Sequence, residues 1–170
     1  MLRPTGDPRG ERQLPLCAMA TPDVDAHLQL LDSVGQAANE LTQALALLTE
    51  AFEQLDERQA ERLEEALFRP IQRAYGRAKR AYGGYAERRG VEPAPLATPT
   101  APAPSIGVKG LVQGAVELAS QVDGELVMLQ DSLMLIELGD ADLRAGLAEV
   151  RQALAEVSDA ARSFLRTFGR

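Results

Sequence analysis

The stretch that decides the fold is Glu92-Pro-Ala-Pro-Leu-Ala-Thr-Pro-Thr-Ala-Pro-Ala-Pro-Ser105. Proline has no backbone N–H and fixes φ, and it disfavours helical backbone in the residue before it. Neither a helix nor a central strand can therefore continue through this stretch. The chain is divided into two long segments, 21–90 and 107–170, which are joined by a Pro/Ala-rich connector at 91–106. We expect the connector to be stiff and exposed.

Both long segments have the composition of helical proteins. They are dominated by Ala, Leu, Glu, Gln and Arg, which favour helices, and aromatic residues make up only 4% of the chain. No stretch shows the sustained alternation of polar and apolar residues that is typical of a strand. At 170 residues the chain suits one compact domain with its own core. The predicted fold class is all-α.

Two helices are predicted within 21–90. Thr21 has the position of a cap for the first helix. The polar residues after that helix favour a tight reversal in which Asp56 caps the second helix; a single helix running through this point is the alternative. Pro70 should bend the second helix, and Gly90 is placed to end it. The apolar stripe of the first helix is Val24, Leu31, Val34, Ala38, Leu41, Leu45, Leu48, Phe52 and Leu55.

The segment 107–170 is predicted to form two further helices. The third runs from Gly107 to Leu138, and the pair Gly139-Asp140 ends it and caps the fourth. The inward residues of the third helix are Val108, Leu111, Ala115, Leu118, Val122, Leu126, Leu129, Leu133 and Ile136. Those of the fourth are Leu143, Leu147, Val150, Leu154, Val157, Ala161, Phe164 and Phe168.

The apolar stripes are wider than a two-stranded seam, so each helix is expected to contact more than one neighbour. They predict a four-helix bundle made of two long helical hairpins, with the connector between the hairpins. Pairing of the hairpins with those of a second chain is the alternative architecture, because the connector is long enough to bridge two subunits.

Composition also limits the functions open to the chain. A formal net charge of −7 at pH 7 argues against nucleic acid as the general partner, because the whole molecule repels phosphate. The single cysteine, Cys17, excludes an internal disulfide and suits the reducing cytoplasm. No apolar run reaches the roughly 18–20 residues of a membrane span. Residues 1–20 are predicted to form a disordered tail, and Met19 is an alternative start.

No catalytic or metal-binding group is predicted. His27 is the only histidine, and a di-metal helical bundle requires a Glu-x-x-His element on each of two helices. We therefore expect His27 to be a core or boundary residue, with neither a metal nor another cofactor. Asp123 and Glu125 could serve acid–base chemistry only if they were buried together, and we expect both on the flank of the third helix.

Positive charge is concentrated between Leu67 and Gly90, where seven basic residues face one acid, Glu87. Four arginines in this stretch step by four, four and three residues and so share one helical face. With two neighbouring tyrosines they form the candidate binding face: Arg69, Arg73, Tyr75, Arg77, Arg80 and Tyr82.

Three interpretations of this candidate binding face remain open. The plainest is pairing with acids of neighbouring helices, such as Glu117, Asp123 or Glu149. The second is binding to an acidic protein, including a second copy of this chain. The third is binding to an anionic surface of nucleic acid or lipid.

The function predicted from these features is that of a non-enzymatic binding or scaffold protein of the cytoplasm. It would act through helix–helix contacts with a protein partner or with itself. One alternative is association with an anionic membrane or granule surface; in composition alone, the alanine-rich helices are similar to those of phasins, which coat polymer granules. Another alternative is a small-ligand-binding bundle or an enzyme that uses the core near His27.

Overall fold

The computed structural model describes residues 22–103 and 105–168, and every regular element within these ranges is helical. The helices are α1 (Pro22–Glu53), α2 (Glu57–Leu63), α3 (Arg69–Arg89), α4 (Val108–Gln130), α5 (Leu133–Leu138), α6 (Ala141–Leu154) and α7 (Val157–Phe168). A π-helical turn, Glu64–Phe68, joins α2 to α3. The all-α prediction is confirmed. The predictions for residues 1–20, Cys17 and the Thr21 cap lie outside the described residues.

Local sequence accounts for the bounds of α2 and α3. The carboxylate of Asp56 accepts a hydrogen bond from the backbone N–H of Gln59 at 2.9 Å, which confirms the predicted reversal and its cap. Pro70 cannot donate to the carbonyl four residues earlier, and the helix passes this point through the π turn directly before it. Gly90 ends α3 in the left-handed conformation, with φ of 62°.

The predicted third helix, 107–138, is wrong in its second half. It ends at Gln130, because the hydroxyl of Ser132 caps a separate helix, α5, by accepting a hydrogen bond from Leu135 N–H at 3.2 Å. The break changes the register of the residues that follow. Leu133 and Ile136, predicted to face inward, are 72% and 59% exposed.

The predicted fourth helix is divided by a turn at Ala155–Glu156 into α6 and α7. Its start is confirmed, because the Asp140 carboxylate accepts a hydrogen bond from Leu143 N–H at 2.8 Å. The spacing of buried apolar residues continues across the turn, since Leu154 before it and Val157 after it are both buried. The chain therefore keeps one inward face from α6 into α7.

Helix α1 packs against α3 on one side and α4 on the other, and α6 also contacts both α3 and α4. Helices α3 and α6 run antiparallel, because Arg77 meets Glu149 and Arg88 meets Asp140. In the described ranges, no helix combines the length and the apolar character needed to cross a bilayer.

The core is continuous across these contacts. Its largest fully buried side chains are Tyr85, Leu30, Leu31, Leu41, Leu48, Leu63, Leu67, Ile71, Leu111, Leu126, Leu135 and Leu143. Two inward predictions for α1 are wrong, because Val24 and Phe52, near its two ends, are each 38% exposed. Leu45 is half-buried and packs against the core. Leu45 lies beneath the connector, which covers it incompletely.

The connector lies along α1 for much of its length. The prediction of an exposed connector is confirmed for most of its side chains, and its backbone is hydrogen-bonded to α1. The N–H of Ala97 donates to Asn39 Oδ1 at 2.8 Å, and the N–H of Thr100 donates to Gln43 Oε1 at 2.7 Å. The connector therefore runs from the end of α3 to the start of α4 as a segment that is hydrogen-bonded to the helices.

Candidate binding surfaces

The four predicted arginines of α3 lie on its solvent side. Arg69, Arg73 and Arg80 are exposed, and Arg77 is half-buried. We call these four residues the basic face. Their spacing of four, four and three residues keeps them aligned along the helix, as predicted.

Two members of the basic face have acidic partners. Arg69 lies 3.0 Å from Glu64, and Arg77 lies 3.0 Å from Glu149 of α6. These side chains are more than a third exposed, so water screens the attraction and each pair contributes at most about 1 kcal/mol. Among the residues that the structure describes, Arg73 and Arg80 form no ion pair. Ion pairs within the chain therefore involve two of the four arginines of the basic face.

An open groove of about 630 Å³ lies beside the basic face, where α3 passes the turn between α6 and α7. Small apolar side chains and both signs of charge line it: Glu65, Ala66, Pro70, Arg73, Arg77, Gln152, Ala153, Ala155, Glu156 and Ala160. The mixed lining suits a short side chain of a protein better than a free anion, since Glu65 and Glu156 repel an anion.

The two predicted tyrosines lie on the other side of α3, towards the connector. Tyr82 is 6% exposed, and its hydroxyl donates to the carbonyl of Ala94 at 2.6 Å. Tyr75 is half-buried and lines a shallow groove beneath Pro99 and Pro102. The six predicted residues thus belong to two separate surfaces. The spacing contains this signal, because residues two apart on a helix, such as Arg73 and Tyr75, do not face the same way.

His27 and Tyr85 form a buried polar pair near the start of α1. His27 is 9% exposed, and its Nδ1 lies 2.6 Å from the Tyr85 hydroxyl, which donates to the carbonyl of Leu138 at 3.0 Å. The other ring nitrogen of His27, Nε2, lies 3.4 Å from the carboxylate of Asp23. Burial raises the pKa of Tyr85, which keeps the phenol neutral. The expected core or boundary position of His27 is confirmed.

The predicted acidic residues of α4 do not form a pair. Asp123 binds Arg151 of α6 at 3.0 Å, whereas Glu125 accepts a hydrogen bond from Gln121 at 3.0 Å. Gln121 also donates to Glu40 of α1, a residue that the sequence analysis did not single out. Burial, aided by the negative charge of Glu125, raises the pKa of Glu40, although a hydrogen bond from Gln36 opposes this shift.

Neither a metal cluster nor a relative identifies the site. In the ranges 22–103 and 105–168, no three His, Cys, Asp or Glu side chains come together in a way that could hold a metal ion. Comparisons with protein-family models, curated proteins and solved structures gave no match. The candidate sites are the basic face and the channel between α1 and α3, which the connector covers through its bonds to Asn39, Gln43 and Tyr82.

Proposed function

We propose that the chain is a four-helix bundle of two hairpins joined by the connector, and that it works as a non-enzymatic binding or scaffold protein of the cytoplasm. The contacts of α1 and α6 with both α3 and α4 support a four-cornered arrangement. The engagement of His27 with Tyr85, and of Asp123 with Arg151, supports a structural role for these polar groups. Binding would then take place on the outside of the bundle.

The observation that carries this proposal is the exposure of the basic face on an acidic chain. Arg73 and Arg80 are exposed and have no ion pair in the described part of the chain, although the chain as a whole carries a net charge of −7. Such a patch steers acidic protein surfaces towards itself and repels basic ones. The partner we propose is an acidic protein, of which a second copy of this chain is the simplest example.

The position of the exposed apolar residues favours a protein partner over a lipid surface. Met128 and Leu133 are exposed on α4 and α5, whereas the basic face is on α3. A helix that lies on a membrane carries its basic residues next to its own apolar face, so that both contact the lipid at the same time. The separation of the two features on this chain does not provide that arrangement.

Light scattering after size exclusion tests the proposal at about 20 mM and about 500 mM NaCl, because salt screens charge attraction. We expect the native chain to assemble beyond its monomer mass of 18.3 kDa at low salt and to dissociate at high salt. The double variant Arg73→Glu with Arg80→Glu should stay monomeric. Its control, Arg58→Glu with Lys109→Glu, makes the same change in net charge on α2 and α4 and should assemble like the native chain.

A labelled poly-glutamate peptide and anionic vesicles complete the test. If the native chain is a monomer at both salt concentrations but binds the peptide through Arg73 and Arg80, the partner is another acidic protein. If the chain binds neither a second copy nor the peptide at low salt, the proposal is overturned. Binding to vesicles without binding to the peptide would overturn it in favour of an anionic surface.

A further inference from the structure

The backbone of the connector is bonded to the helices at every third residue. The bonds are Tyr82 hydroxyl to Ala94 C=O (2.6 Å), Ala97 N–H to Asn39 (2.8 Å), Thr100 N–H to Gln43 (2.7 Å) and Gln43 to Thr100 C=O (2.7 Å). This spacing matches a polyproline II helix, which has three residues per turn and returns every third residue to the same side. The connector therefore turns the same side towards α1 and α3 at each of these residues.

The side chains follow the same period. Pro93, Leu96 and Pro102 are half-buried, and most residues between them are exposed. Pro99 occupies the remaining position of the series and, although exposed itself, lines an open groove of about 540 Å³ with Leu45 and Tyr75. The side facing the channel thus reads Pro-x-x-Leu-x-x-Pro-x-x-Pro from residue 93 to residue 102.

The two walls of the channel provide different contacts. Asn39 and Gln43 are one turn apart on α1 and bind backbone groups through their amides. Tyr75 and Tyr82 are two turns apart on α3; Tyr82 binds a carbonyl, and Tyr75 lines the groove under the prolines. Domains that recognise polyproline II peptides likewise use aromatic side chains together with donors to peptide carbonyls. None of these hydrogen bonds depends on the identity of the connector's side chains.

We propose that the channel between α1 and α3 is a binding site for proline-rich extended peptides, which the connector occupies as a built-in ligand. Its external ligand would be a partner's segment with Pro or Leu at every third residue. The site is independent of the basic face, because it lies on the other side of α3. Binding at one surface can therefore fail without affecting the other.

The length of the connector allows it to leave the channel without separating α3 from α4. Sixteen residues at 3.1 Å each reach about 50 Å. The path from the end of α3 to the start of α4 follows α1 from about residue 27 to residue 54, about 40 Å at 1.5 Å per residue. In a second copy of this chain, the connector is held at both ends by that copy's own helices and is not a free peptide. The occupant we infer is therefore a free segment of another protein.

The direct test uses the full chain with residues 93–104 replaced by Gly and Ser at equal length. A fluorescent peptide with the native sequence 91–106 should bind this variant at least about tenfold more tightly than the native chain, because the native connector competes at millimolar effective concentration. Adding Gln43→Ala should weaken binding about tenfold, since it removes both bonds to Thr100. Gln29→Ala, an exposed residue of the same helix, is the matched control.

A second measurement decides the outcome if the Gly/Ser variant fails to fold. In the native chain, about millimolar peptide should accelerate hydrogen exchange at the amides of Ala97 and Thr100 and leave the capped amide of Gln59 unchanged. The proposal is overturned if a folded variant binds no peptide, or if excess peptide leaves the exchange of Ala97 and Thr100 unchanged. Peptide binding that persists in the Arg73→Glu, Arg80→Glu variant would separate this site from the basic face.

Discussion

The two sides of α3 come from one stretch of sequence but have opposite environments. On the outer side, Arg73 and Arg80 are exposed and have no ion pair with any described residue. On the inner side, Ile71 is fully buried, and the hydroxyls of Tyr82 and Tyr85 each donate to a specific carbonyl. The exposed charges leave the outer side available to a partner, whereas the buried hydroxyls of the inner side fix the position of the chain segments around the helix.

The largest difference between the two sides should appear when the core is truncated. Ile71→Ala should lower the free energy of unfolding by about 2–5 kcal/mol, because Ile71 is fully buried and the truncation leaves a cavity. Gln72→Ala, at the adjacent exposed position, should change it by less than about 0.5 kcal/mol. Urea unfolding measures both values. Equal effects at the two positions would mean that the inner side is not packed in solution.

A smaller effect is expected when one buried hydroxyl is removed. Tyr85→Phe should destabilise the fold by about 1–3 kcal/mol, because His27 Nδ1 loses its partner and the Leu138 carbonyl keeps only the hydrogen bond from Arg89. Tyr75→Phe is the matched control, since Tyr75 is half-buried and lines the open groove under the connector. Thermal unfolding of the two variants compares them directly. A neutral Tyr85→Phe would show that water replaces these hydrogen bonds.

Two glycines distinguish the open side of α3 from its packed side, because a methyl group added at each of them reports whether there is free space. A Cβ at Gly76, on the outer side of α3, would meet nothing within 4 Å. Gly76→Ala should therefore stabilise the chain by about 0.5–1 kcal/mol through helix propensity. At Gly146 of α6 the new Cβ would lie 3.0 Å from Ala81 on α3, so Gly146→Ala should gain less or destabilise. Chemical denaturation of both variants checks this order.

The smallest expected effect is a change of stability with pH that arises from an ion pair between the end of α3 and the start of α6. Arg88 donates two hydrogen bonds to Asp140, and this interaction lowers the pKa of that carboxyl below its usual 3.8. A carboxyl whose pKa is lower in the folded state stabilises the fold at pH values above its unfolded-state pKa. This stabilisation is lost as the pH falls through the folded-state pKa. Asp140→Asn keeps a capping side chain, so it should cost about 1 kcal/mol or less near pH 7.

Unfolding of the native and Asp140→Asn chains should therefore differ at neutral pH and converge below pH 3.8. Glu40 acts with the opposite sign. Its pKa is raised above 4.5, so its contribution to stability is full below that value and is lost as the pH rises through its folded-state pKa. Carrying the Asp140 comparison out in a Glu40→Gln background removes this second titration. A difference that stayed constant down to acid pH would contradict the assigned ion pair.

The first half of the chain could be predicted from sequence more fully than the second. Asp56 and Gly90 combine strong local preference with a clear end of the apolar pattern. Ser132 caps a helix inside an apolar run, where the three- and four-residue spacing continues across the break. Periodicity alone therefore extends the third helix too far and assigns Leu133 and Ile136 to the core.

The candidate surfaces could be predicted only in part. The arginines of the basic face follow from helical spacing, which is a local property. The contacts of Asn39 and Gln43 with the connector join residues that are 58 and 57 positions apart. Both side chains are polar and only half-buried on α1, so no feature of their own sequence neighbourhood distinguishes them from ordinary solvated residues.

The π turn before Pro70 has a consequence for how this chain tolerates changes in length. Such a turn holds one residue more than a regular α-helical turn, as the bond from Arg69 N–H to the carbonyl of Glu64 records. The five residues of the π turn wind through about the same angle as four residues of a regular α-helix. A single-codon deletion within 64–68 would therefore restore regular winding and leave the same face of α2 towards α7, so that Arg62 keeps its 2.7 Å hydrogen bond to Thr167. In evolutionary terms, one codon can be gained or lost at this turn while α2 and α3 keep their faces.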